Sequence, residues 1–211
     1  MSTLSFLLPV LLGAAEPTTA AGVHVEARTA SVFAGACHYG GESVTAGREA
    51  VLALAFDGGA HLGVDLAGAS VAALLVSNAN LMEVNHPASA QVWVHAPQGD
   101  LQREAVLSYL RVHLGARTLM VESLSAAPQT LFVTTEREDQ VRVHVDGILS
   151  LSGIPMPDRA CCKMPQQVWY KPLGSVPAPL VLLCDEFRVT HPAARFARHD
   201  ENNGFVGRFG S

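Results

Sequence analysis

Thiol, imidazole and thioether side chains gather at two places in the sequence, Cys37-His38 and Cys161-Cys162-Lys163-Met164, with a further thiol at Cys184. Together Cys37, His38, Cys161, Cys162 and Met164 supply the soft donor set that suits copper(I). The spacing matches no paired C-x-x-C zinc pattern, and the sequence has no H-E-x-x-H. The four cysteines also suit two disulfides, since an even count in an exported chain reads as a covalent framework with three possible connectivities. A bond between Cys161 and Cys162 would close a tight ring across one peptide, which ordinary disulfide separations disfavour. Cys37 is therefore expected to pair with one vicinal cysteine and Cys184 with the other. In the chain-entropy model the first bridge contributes about 4–5 kcal/mol and the second about 3 kcal/mol. Disulfides are the leading reading and a copper-type site the alternative.

Catalytic patterns are sparse. There is no G-x-S-x-G, no P-loop and no G-x-G-x-x-G to anchor a hydrolase or nucleotide reading. Cys37 and His38 do not make a dyad by adjacency, because neighbours on a strand point to opposite faces. A thiol enzyme would need Cys37 matched with a distant imidazole such as His86 or His144. The vicinal pair Cys161-Cys162 lacks the C-x-x-C spacing of thioredoxin-like exchange. His61, His86 and His95 fall in or beside expected loops, and lone histidines of this kind are usually hydrogen-bonded or surface residues. Asp185-Glu186 reads as a solvated turn. Trp93 and Trp169 read as core. Asn202-Asn203-Gly204 reads as a turn ahead of a terminal strand carrying Phe205, Val206 and Phe209.

The elements that position these residues are mostly strands. Val23, Val25, Ala27 and Thr29 alternate with His24, Glu26 and Arg28, and a period of two puts the two sets on opposite faces of a sheet. The segment 49–56 is apolar enough for helix or strand, and Gly58-Gly59 closes it at strand length. Further strands are expected over 71–77, 91–95, 118–122, 131–135, 141–145, 167–170 and 180–183, with Asp146-Gly147 as a hairpin turn. One helix is expected from Asp100, as its cap, to Leu114, with Gly115 as its stop. Val106, Leu107, Leu110 and Leu114 form its apolar face. Prolines keep 154–179 in extended segments and loops. The expected architecture is α+β, a mainly antiparallel β-sheet with one principal helix; a two-layer β-sandwich is the alternative.

With 49% apolar and 16% charged residues, the 211-residue chain can bury a core without metal or disulfide. Its net charge of −5 and scattered basic residues exclude a nucleic-acid footprint. The uncharged apolar block Ser5–Ala15, with small residues behind it, has signal-peptide size, its positive end resting on the terminal amine alone. Residues 1–22 are accordingly expected to be a leader or extension and 23–211 one strand-rich domain, exported to the periplasm or beyond. No segment of the mature chain is apolar for long enough to span a membrane as a helix.

Several short stretches occur in a shared order: Ala27-Arg28-Thr29-Ala30-Ser31-Val32-Phe33, Gly35-Ala36-Cys37-His38, Gly47-Arg48-Glu49-Ala50 and Gly63-Val64-Asp65-Leu66-Ala67-Gly68. Gln102-Arg103-Glu104-Ala105, Cys161-Cys162-Lys163-Met164-Pro165 and Asn203-Gly204-Phe205-Val206-Gly207-Arg208-Phe209 follow. Taken together they resemble the bacterial family known as domain of unknown function 1326, over nearly all of the mature chain. The resemblance implies no activity. The reading from the residues is an exported, non-enzymatic binding or structural domain with oxidised cysteines. A periplasmic copper-type binder comes second and a thiol-dependent enzyme third.

Overall fold

The computed structural model describes residues 18–34, 47–115, 119–126, 132–136, 140–156, 167–168 and 170–210. Its helix, α1, runs Asp100–Leu114 and ends at Gly115, whose φ of 66° suits glycine. The N-cap is Gly99 rather than Asp100: its φ of 96° is open to glycine, and Asp100 becomes the first helical residue, paired with Arg103 at 2.9 Å. Gln102 substitutes for a side-chain cap by accepting the Gln98 N–H and donating to Asp65 O at 3.1 Å, which fastens the helix start to the sheet connections. Val106, Leu110 and Leu114 are buried as their spacing requires, Leu107 is partly buried against them, and Tyr109 and His113 complete the inward face.

The strands before the helix are β1 (Ala21–Arg28), β2 (Phe33–Ala34), β3 (Glu49–Gly58), β4 (Ala60–His61), β5 (Val64–Asp65), β6 (Ser70–Ser77) and β7 (Ala88–His95). After it come β8 (Leu119–Ala126), β9 (Phe132–Glu136), β10 (Gln140–Val145), β11 (Leu149–Pro155), β12 (Gln167–Val168), β13 (Leu180–His191) and β14 (Ala194–Phe209). Ten of these form one sheet in the order β8-β7-β6-β3-β1-β14-β13-β11-β10-β9. Every neighbouring pair is antiparallel except β7 and β8, which α1 joins as a crossover and which therefore run parallel. The sheet is mixed to that extent, and the described residues are mostly β with one helix.

One face of β3, β6 and β7 packs under α1, through Leu52, Leu54, Val71, Leu75 and Val92 among others. The other face joins Val51, Ala53, Leu74 and Trp93 to Val143, Leu151, Phe187 and Val189 from β10, β11 and β13. The sheet thus curls until its two halves face one another, with Trp93 and His191 rings 5.7 Å apart. This explains the unbroken apolar run of β3: both its faces are covered, so there is no polar face to alternate with.

Three further expectations change. Asn202-Asn203-Gly204 lies inside β14, not in a turn, with Asn203 fully buried. Gly204 is required there because a Cβ would overlap the Glu26 carbonyl oxygen of β1. Asp185-Glu186 lies within β13, where Glu186 bonds Ser150 and Arg188. Asp146-Gly147 forms the expected hairpin turn, leading into β11, which pairs with both β10 and β13. The fold also begins before residue 23: Ala20 is buried, Thr19 N–H bonds Ala60 O at 2.9 Å, and Thr18 Oγ1 lies 2.6 Å from His61 Nδ1. Among the described residues no helix is long and apolar enough to cross a membrane.

Candidate functional site

The alternation of β1 gives its two faces different work. His24, Glu26 and Arg28 point toward the helix side and are wholly buried. Three ionisable residues at i, i+2 and i+4 fall on one face of a strand and can satisfy one another. Here Glu26 Oε2 accepts from His24 Nε2 at 3.1 Å and from the Leu173 backbone N–H at 2.7 Å, while its Oε1 accepts from Arg28. Arg28 also donates to Lys171 O at 2.9 Å and lies over the Tyr170 and Phe205 rings. Among the described residues its Nε and Nη1 have no hydrogen-bond partner, nor has Asn203 Oδ1.

From α1, His113 Nε2 comes within 2.9 Å of His24 Nδ1. An ionised carboxylate only accepts, so His24 Nε2 carries the proton facing Glu26, and one proton is shared between His24 Nδ1 and His113 Nε2. Burial by itself would raise the Glu26 pKa, but the Arg28 charge and the His24 contact outweigh it and hold the carboxyl at about 2. Burial and the neighbouring His24 push His113 down to about 4. The chain of groups ends against Tyr109 and Phe209 rings and the backbone of Gly174, where a Cβ would overlap the imidazole. Among the described residues the network is thus enclosed, with His24, Glu26 and Arg28 wholly buried. Its effect is to hold down the strap 170–179, through Lys171 O, Leu173 N–H and a bond from Ser175 N–H to His113 O.

The far end of that strap forms one wall of a cleft on the opposite side of the sheet. The cleft has a volume of about 560 Å³. Its body is apolar, with Val23 from β1, Val141 from β10, Leu180 from β13 and Val206 from β14. Pro155 and Pro177 line it without offering a backbone N–H. Leu180 is 52% exposed there, a large apolar side chain left partly uncovered. Among the described residues Arg208 is the single charged residue of the lining and Gln140 the only other polar side chain.

Of the residues that the sequence offered for chemistry, Cys37, His38, Cys161, Cys162 and Met164 lie outside the described residues, as does Trp169. Phe33–Ala34, before Cys37, and Gln167–Val168, after Met164, pair as β2 and β12. Cys184, expected in a disulfide, is a free thiol, 1% exposed. Burial, with Asp185 and Glu201 adding to it, pushes its pKa far above the ordinary thiol range, so it packs as a small apolar group beside Leu182. His61 is buried between Thr18 and Ser108, whereas His86 and His144 sit at the surface beside Glu83 and Asp146. Among the described residues no three His, Cys, Asp or Glu side chains are grouped to hold a metal ion. Trp93 is buried in the core.

Sequence reading did not find the ionic network or the cleft. The first had a signal, three residues of self-neutralising type on one face of β1. The second had none, because its lining comes from five separate segments. Fold and site together define a β-rich α+β domain with a ligand-sized apolar cleft. Comparison with protein-family models, curated proteins and solved structures gives no match.

Proposed function

We propose that this chain is a non-enzymatic binding domain whose ligand is a small, largely apolar molecule seated between Val23, Val141, Leu180 and Val206. The cleft itself carries the reading. At about 560 Å³ it falls inside the range of roughly 300–1,000 Å³ typical of small-molecule sites, and like them it is apolar with few polar groups. Covering a half-exposed leucine is itself favourable, by about 1 kcal/mol on the scale of full side-chain burial. The Ser5–Ala15 block supports placing this activity outside the cytoplasm, and the short motifs quoted above support grouping the chain with domain of unknown function 1326.

The test is titration of the protein with N-phenyl-1-naphthylamine, a neutral apolar fluorophore, alongside Leu180→Trp. Leu180 is open enough to accept the larger ring, which then occupies the cleft. Saturable one-to-one binding that weakens at least about tenfold in the variant, the loss of roughly 1.4 kcal/mol of contact, supports the reading. Absence of saturable binding, or equal binding by the variant, rejects it.

A further inference from the structure

The charge of the cleft narrows the ligand's chemistry. Val23 and Arg208 are cross-strand partners in the β1–β14 ladder, so the guanidinium stands beside the apolar floor rather than across the sheet from it. Arg208 already has a counter-charge, Asp57 at the end of β3, but both side chains are open to water, 69% and 53% exposed. Exposed pairs of this kind contribute about 0–1 kcal/mol, so Asp57 is a weak and exchangeable partner. Among the described residues no acidic side chain lines the cleft to repel an incoming anion. An apolar body bordered by one cation with a replaceable partner fits a molecule that has a hydrocarbon part and one acidic group.

We propose that the ligand of the cleft is a monocarboxylic amphiphile: its hydrocarbon body lies along Val23, Leu180 and Val206, and its carboxylate takes Arg208 from Asp57. This rests on the cleft being the binding site. An apolar tail entering first loses water from its own surface and from Leu180, while the carboxylate stays at the rim, where its desolvation is partial. Arg208 then gains a ligand whose charge is held in place by the buried tail.

The experiment compares dodecanoate with dodecanol, below micelle-forming concentration at pH 8, by calorimetric titration of the full chain, its Arg208→Gln variant and its Asp57→Asn variant. The readout is the ratio of the two affinities, with circular dichroism confirming that each variant is folded. The wild-type protein is expected to favour the acid by roughly tenfold, at the lower end of a charge-assisted hydrogen bond. Arg208→Gln should bring the ratio near one, and Asp57→Asn should raise it by a factor of about two to five, as expected for removing an exposed competing pair. Dodecanol binding as tightly as dodecanoate, or a ratio unchanged in Arg208→Gln, overturns the acid assignment and leaves the cleft as an apolar site. Failure of both compounds to bind overturns the cleft reading as well.

Discussion

Glu26→Gln is the most informative single change, because it alters one charge and almost no volume at the centre of the buried network. Glu26 accepts three hydrogen bonds, from His24 Nε2, the Leu173 N–H and Arg28, and it balances the only cation among those groups that is charged at every pH. An amide has a single oxygen. If that oxygen faces His24 and Leu173, the NH₂ group meets the Arg28 guanidinium donor to donor. If it faces Arg28, the donors of His24 and Leu173 lose their acceptor. In either orientation Arg28 loses its counter-charge, and among the described residues Lys171 O is its remaining backbone acceptor while its Nε and Nη1 already have none.

Leaving one member of a buried ion pair uncompensated costs about 3–5 kcal/mol, a large fraction of the roughly 5–15 kcal/mol that holds a domain folded. Urea unfolding followed by tryptophan fluorescence is the assay, with the midpoint expected to fall strongly and the slope to remain unchanged. Arg28→Met combined with Glu26→Leu should recover much of the loss, since replacing both charges removes the desolvation cost along with the attraction. A loss below about 1 kcal/mol in Glu26→Gln would mean that water reaches Arg28, and the network could not then be what holds the strap 170–179.

The same network makes the fold acid-labile. His113 lies at about 4 against 6.5 when unfolded, and Glu26 at about 2 against 4.5, so the unfolded chain binds more protons in both windows; stability falls as pH drops from 6.5 to 4 and again from 4.5 to 2, by about 3 kcal/mol for each group, measurable by urea midpoints across that range. Leu110→Ala should cost about 2–5 kcal/mol, because Leu110 is buried between α1 and the sheet; a loss below half a kcal/mol in thermal or urea unfolding would contradict that packing. If the Ser5–Ala15 block is cleaved, terminal sequencing should place the new N-terminus before Thr18, since Thr18, Thr19 and Ala20 hold to His61, Ala60 and the core; a start at Val23 with unchanged stability would refute this. Peptide mapping of the oxidised protein should find Cys37 joined to Cys161 or Cys162, since Phe33–Ala34 shortly before Cys37 pair with Gln167–Val168 shortly after the vicinal cysteines, and Cys184 as a free thiol; a bridge to Cys184 would contradict its packing in the core.

Local sequence was enough for the helix, where spacing, acidic start and Gly115 agree with one another and with the tertiary fold. It failed where tertiary contacts override local preference. Asn202-Asn203-Gly204 has turn composition, yet β14 runs straight through it because β1 approaches too closely for any side chain at Gly204. In β11, Leu149 and Leu151 alternate with serines, a period-two signal, yet no strand was expected over 149–155, where Gly153 interrupts the apolar pattern. Gly153 instead marks another close approach, to the Leu183 carbonyl of β13. His113 was missed for a different reason. A histidine on the inward face of a helix looks like an interruption until its partner His24, which lies far away in sequence, is known.

The network and the cleft are linked through β1 and the strap. At Val23 the inner face of β1 borders the cleft, so the sheet there has less apolar cover than at Val25 or Ala27, which are fully buried. On the opposite face, directional bonds to α1 and to Lys171, Leu173 and Ser175 add to the apolar packing. Those bonds fix where the strap crosses, and a few residues later Pro177 and Ala178 become a wall of the cleft while Val176 packs on Gly207. A polar network is more demanding than an apolar contact because it tolerates few alternative arrangements. It therefore specifies the strap's position, and with it the width of the cleft, in a region that the proposed function requires to stay open instead of being filled with side chains.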